Sequence, residues 1–78
     1  MNIYAKKGDQ VAVTEESIKN GHDCDKQKAK TYLSVGEIYT VESTKAFSSR
    51  TEVHLQEFPN VIFNSVQFID VILTYSNN

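Results

Sequence analysis

Short runs of alternating apolar and polar residues, each closed by turn-forming residues, restrict this chain to a mainly β fold. In "DQVAVT", Val11 and Val13 face one way and Gln10, Ala12 and Thr14 the other, with Gly8 as a turn before them. Alternation of this kind is the signature of a half-buried strand and predicts one over residues 10–14. "EIYTVES" is rich in β-branched and aromatic residues and lies between Gly36 and a Ser/Thr-rich turn. "TEVHLQEF" sets Val53 and Leu55 against Glu52, His54 and Gln56. After a turn at Pro59 and Asn60, "VIF" and "VQFIDVI" supply two further strands with "NSV" between them. The expectation is five short strands.

One segment breaks the period. In "DKQKAKTYL", Ala29 and Leu33 are four apart, as are Lys26 and Lys30, and the composition favours a helix. Asp25 is the expected N-cap, because its carboxylate can accept from the free N–H groups of the first turn. Gly36 lies just past the expected end. Such a two-turn helix is unstable alone and must dock through Ala29, Leu33 and Tyr32.

These elements give a long first loop holding the helix, a middle polar loop over residues 45–50, a tight turn, and a short link before the last strand. That layout is expected of a small five-stranded SH3-like barrel. An OB-type barrel competes, but its helix normally falls between the third and fourth strands. With 78 residues there is room for one domain spanning 1–78, with a frayed polar tail. Domains of this size more often present a surface than enclose a catalytic pocket.

The stretch "NGHDCDK" concentrates His22, Asp23, Cys24 and Asp25. Zinc requires three or four ligands at recurrent spacings, and one cysteine with His22 two residues away does not supply them. The second histidine, His54, sits on a strand. The carboxylates do not follow the calcium-loop pattern. Cys24 precedes a helix start and lies near Lys26, which favours a thiolate, but Asp23 and Asp25 flank it and oppose one. No phosphate-binding loop is present in the sequence. The expectation is a non-enzymatic protein with no cofactor and no metal.

Net charge is −2, and all eight Lys and Arg lie at or before Arg50. The longest apolar-rich stretch is broken by Gln67 and Asp70 and is too short to span a bilayer, which takes about 20 residues. The single cysteine suits a reducing compartment. A cytoplasmic location without membrane association is therefore expected.

Residues 25–71 resemble a group of small proteins encoded by tailed bacteriophages. The pattern runs D-K-x-x-A-x-x-Y/H-L-x-x-G-x-x-Y-T-V and then T-x-V-x-L-x-E-F-P-G-x-x-F-N-S-V-x-F-E. Here it is carried by Asp25, Lys26, Ala29, Leu33, Gly36, Tyr39, Thr40 and Val41. It continues through Thr51, Val53, Leu55, Glu57, Phe58, Pro59, Phe63, Asn64, Ser65, Val66 and Phe68. Asn60 and Ile69 depart from it, standing where the pattern has Gly and Glu. Asn tolerates the left-handed conformation that Gly favours, so the turn is expected to survive. The resemblance implies a phage origin, an accessory role in the host cytoplasm during infection, and no catalytic residue.

Binding through surface loops is thus the function class to test, with an unidentified host or phage protein as partner and inhibition as the expected effect. "KAFSSR" places Lys45, Phe47 and Arg50 in the middle loop with no evident core duty, and Arg and aromatics are favoured at interface hot spots. Phe58 and Pro59 could form an apolar rim beside Tyr39 or Phe47, and Lys26 and Lys30 share a helix face. The competing class is nucleic-acid binding through Lys26, Lys28, Lys30 and Phe47. Apolar Ile69, Val71 and Ile72 also allow a homodimer through the last strand.

Overall fold

A long strand organises the molecule by serving two neighbours in turn. The computed structural model describes residues 1–71. Strand β2 (Ile38–Ala46) pairs antiparallel with β1 (Gln10–Ala12) through Ile38, Tyr39 and Thr40. Its remaining length pairs with β3 (Thr51–Leu55), from Val41 opposite Leu55 to Ala46 opposite Thr51. A register shift between Val41 and Ser43 separates the two ladders. Such irregularities bend a strand and sharpen its twist, so β2 can belong to both.

Strand β4 (Phe58–Asn64) pairs with the far side of β3, and β5 (Ile69–Asp70) with the far side of β1. The order is β4-β3-β2-β1-β5 in one antiparallel sheet. The mainly β expectation with one helix in the first long connection therefore holds. Closure into a barrel does not follow from the pairing, because β4 and β5 are the two edges of the described sheet.

Burial follows the alternation. Val11, Val13, Tyr39, Val41, Thr51, Val53 and Leu55 are buried, while Glu52 and His54 between them are half-buried. Phe63 and Phe68 meet edge to face with centroids 5.9 Å apart and complete the core. Phe58 is half-buried and touches the rings of Tyr32, Tyr39 and Phe63 at 5.5–6.1 Å.

Several boundaries differ from expectation. Strand β1 stops at Ala12, because Thr14 and Ser17 exchange bonds: the Thr14 N–H donates to Ser17 Oγ at 2.8 Å and the Ser17 N–H to Thr14 Oγ1 at 2.9 Å. This pair starts a short 3-10 turn, Ser17–Lys19. Strand β2 runs on through the expected Ser/Thr turn, so Lys45 is a strand residue and the middle loop begins at Phe47. The tight turn falls on Gln56 and Glu57, and Pro59 and Asn60 lie inside β4. Proline is tolerated there because β4 is an edge strand. Among the described residues only glycines have positive φ, so Asn60 does not take the left-handed conformation. "NSV" leads into a second 3-10 turn, Ser65–Gln67, with the Asn64 side chain accepting from the Val66 N–H. Ile72 lies outside the described residues.

Helix α1 (Asp23–Tyr32) is longer than expected and begins earlier. His22 is its N-cap residue, and Asp25 stands in the first turn, with its carboxylate accepting from the His22 N–H at 3.1 Å. Asp23 and Asp25 near the N-terminus and Lys30 near the C-terminus complement the helix dipole. Ala29 and Leu33 are buried, as their spacing predicts. Tyr32 is 43% exposed but leans on Phe58.

Candidate functional site

The "NGHDCDK" stretch is built into a polar junction. The Asp25 carboxylate also accepts from Asn64 Nδ2 at 3.1 Å, tying the helix start to the end of β4. The Gln67 amide is fully buried and donates to the carbonyls of Asp25, Asn20 and Ile18 at 2.9, 3.3 and 3.4 Å. Asn20 in turn donates from Nδ2 to the Val66 carbonyl at 3.0 Å. Gly21 has φ +93°, and a Cβ there would stand 2.9 Å from both Cβ and Oδ2 of Asp25. Only glycine fits this close approach. His22 and Cys24 are exposed, and no group of three His, Cys, Asp or Glu among the described residues is placed to hold a metal ion.

The side chains singled out for binding fall into three places. The first is the tip of the β2–β3 hairpin. The Phe47 N–H donates to the Arg50 carbonyl at 2.7 Å and closes the loop. The Phe47 ring is 48% exposed, with Lys45 Nζ 5.4 Å from its centroid. That separation is within cation–π range. The Arg50 guanidinium bonds Glu52 at 2.8 Å. Aromatic and cationic groups are thus presented together on a hydrogen-bonded turn.

Phe58 and Pro59 form the second place, and they do not join the first. Phe58 pairs with Leu55, whereas Phe47 follows Ala46, which pairs with Thr51. The length of β3 lies between them, about 13 Å at 3.3–3.4 Å per residue. Tyr39, the other expected neighbour, is buried beneath Phe58 rather than exposed beside it.

The lysines of α1 separate as well. At 100° per residue, Lys26 and Lys30 project from one face and Lys28 from nearly the opposite one. Lys28 Nζ donates to the Ile62 carbonyl of β4 at 2.8 Å. Lys26 and Lys30 instead border a groove of about 600 Å³ between α1, the first 3-10 turn and Val35. Lys19 and Ile18 also line this groove, and sequence reading singled out neither.

No helix among the described residues is long and apolar enough to cross a membrane. A family model, that of bacteriophage T4 protein Y07B, matches residues 2–76. No curated protein and no solved structure matches the chain significantly.

Proposed function

The chain belongs to the family of bacteriophage T4 protein Y07B, and from that premise we propose that it is a non-enzymatic accessory protein that binds a host or phage protein in the host cytoplasm and inhibits it. The observation that carries this reading is the hairpin tip. A half-exposed Phe47 closes the turn against Arg50, with the Lys45 ammonium over its ring. Phe47 lies outside the buried core, and aromatic and Arg side chains dominate the energetics of protein interfaces. Lys28, engaged with β4 on the far side of α1 from Lys26 and Lys30, cannot join them in tracking a phosphate backbone, which favours a protein partner over nucleic acid.

The test is co-purification from phage-infected cells of the tagged protein and of a Phe47→Ala/Arg50→Ala variant, followed by reconstitution of the binary complex from purified components. Hot-spot losses of about 2 kcal/mol or more correspond to at least ~30-fold weaker binding. The variant is expected to fold with stability within about 0.5 kcal/mol of the parent, because both side chains are surface groups. Recovery of no protein partner after cross-linking refutes the proposal. So does recovery of nucleic acid in its place, held with the steep salt dependence of phosphate contacts.

A further inference from the structure

We propose that the groove between α1 and the first 3-10 turn is a docking site for an acidic segment of a partner protein that inserts an apolar side chain between Lys19, Lys26 and Lys30. The inference rests on the protein-binding reading above and adds a second surface to it, with a defined partner chemistry.

The groove combines two unfulfilled demands. Its floor is apolar: Ile18 is half-buried there, and Val35 is 47% exposed. The lysine stems extend this apolar lining, as long cationic side chains do when their heads reach for water. Its rim is cationic. Lys19, Lys26 and Lys30 face a single carboxylate, Asp23. The two ion pairs among the described residues use Lys7 and Arg50, so none of the three rim lysines is engaged in one. The chain as a whole carries a net charge of −2, and the groove inverts that sign locally.

Charge complementarity sets the class of occupant. Three ammonium groups around an apolar floor match a segment in which Asp or Glu residues flank one or two large apolar side chains. The volume of about 600 Å³ lies within the range of specific pockets, roughly 300–1,000 Å³. An oligonucleotide fits less well, since its phosphates would leave the apolar floor unused and one carboxylate would face them. The arrangement is built on an ordered frame. Ala29 anchors the adjoining face of α1 in the core, and the Gln67 amide holds the first 3-10 turn at the Ile18 carbonyl.

The experiment is selection of a randomised displayed peptide library on the intact protein, followed by titration of the most enriched peptide, labelled with fluorescein. Enriched sequences are expected to be acidic around an apolar anchor. Affinity should fall on the order of tenfold or more in Lys19→Glu/Lys26→Glu/Lys30→Glu and in Val35→Asp. It should rise in Asp23→Asn, an outcome that a folding defect cannot mimic. Phe47→Ala/Arg50→Ala should bind the peptide as the parent does, which separates this site from the hairpin tip. Failure to enrich any peptide, enrichment of basic or uncharged sequences, or indifference of the enriched peptide to the groove variants would overturn the inference. Displacement of the peptide by a single-stranded oligonucleotide of equal or better affinity would do the same. If only the groove variants are silent while the Phe47 variant still loses the cellular partner, the groove assignment fails and the protein-binding function stands.

Discussion

Replacement of Gln67 is expected to be among the most damaging single changes in the molecule, although Gln67 is neither apolar nor catalytic. Its side chain is 0% exposed, and its Nε2 faces the carbonyls of Asp25, Asn20 and Ile18. Three facing acceptors require the nitrogen, so the amide orientation is dictated by its partners. Two N–H protons serve three acceptors, one at 2.9 Å and two shared at 3.3–3.4 Å. Gln67→Leu conserves volume but removes both protons and leaves those carbonyls short of donors. At about 1–3 kcal/mol for each buried group left unsatisfied, a loss of roughly 2–4 kcal/mol is expected. The Oε1 atom has no partner of its own, and its removal in the Leu variant recovers part of the cost. A domain this small commands on the order of 3–5 kcal/mol in total, so Gln67→Leu should sit near the edge of folding. Gln67→Glu distinguishes the mechanism from lost packing, because at neutral pH it sets a carboxylate against three carbonyl oxygens. Burial and like partial charge raise the folded-state pKa of the new carboxyl. The folded state then binds the proton more tightly than the unfolded state, so the variant loses stability as pH rises above the unfolded value of about 4.3. Urea unfolding of both variants in sucrose, at pH 4.5 and pH 7, should show Gln67→Glu falling behind Gln67→Leu as pH increases. Equal stability of Gln67→Leu and the parent, or no pH dependence of that difference, would refute the account.

Two other perturbations probe the same frame. Gly21→Ala places a Cβ 2.9 Å from Asp25 and forces a positive φ on a residue with a side chain, while Gly36→Ala, at φ +90° with open space around it, meets the backbone strain alone. Strain of this kind is about 1–3 kcal/mol, so both should lower the urea midpoint, with Gly21→Ala the lower; the reverse order would contradict the close approach seen here. Lys28→Met keeps the aliphatic stem but frees the Ile62 carbonyl on the β4 edge. It should cost under about 1 kcal/mol in stability yet raise concentration-dependent self-association by light scattering, because unpaired strand edges template pairing.

What was legible in the sequence is what a two-residue period can report. Val11 with Val13, and Val53 with Leu55, alternate toward the core as read, and for Val11, Val53 and Leu55 the ladders fix which face is inward. The family-level expectation of a small phage protein is likewise supported by the match over residues 2–76. The same period misled where the backbone leaves the ladder. The strand expected over "VQFIDVI" begins only at Ile69, and before it Val66 is 47% exposed and Gln67 is fully buried. The cause is the 3-10 turn at Ser65–Gln67, in which side chains no longer repeat every second residue.

The candidate residues do not gather into one site, for a related reason. Lys26, Lys28 and Lys30 are neighbours in sequence but diverge around α1, and Phe47 and Phe58 are alike in type but sit at opposite ends of β3. Proximity in a short chain is decided by helix phase and strand register, neither of which residue type reveals. The polar "NGHDCDK" stretch follows the same logic in reverse. Residues of reactive type suggested chemistry, but the bonds from Asp25 to His22 and Asn64, and from Gln67 to the carbonyls around them, commit the stretch to joining helix, turn and sheet. That junction also fixes the start of α1 and the first 3-10 turn, the two elements that form the walls of the lysine-rimmed groove.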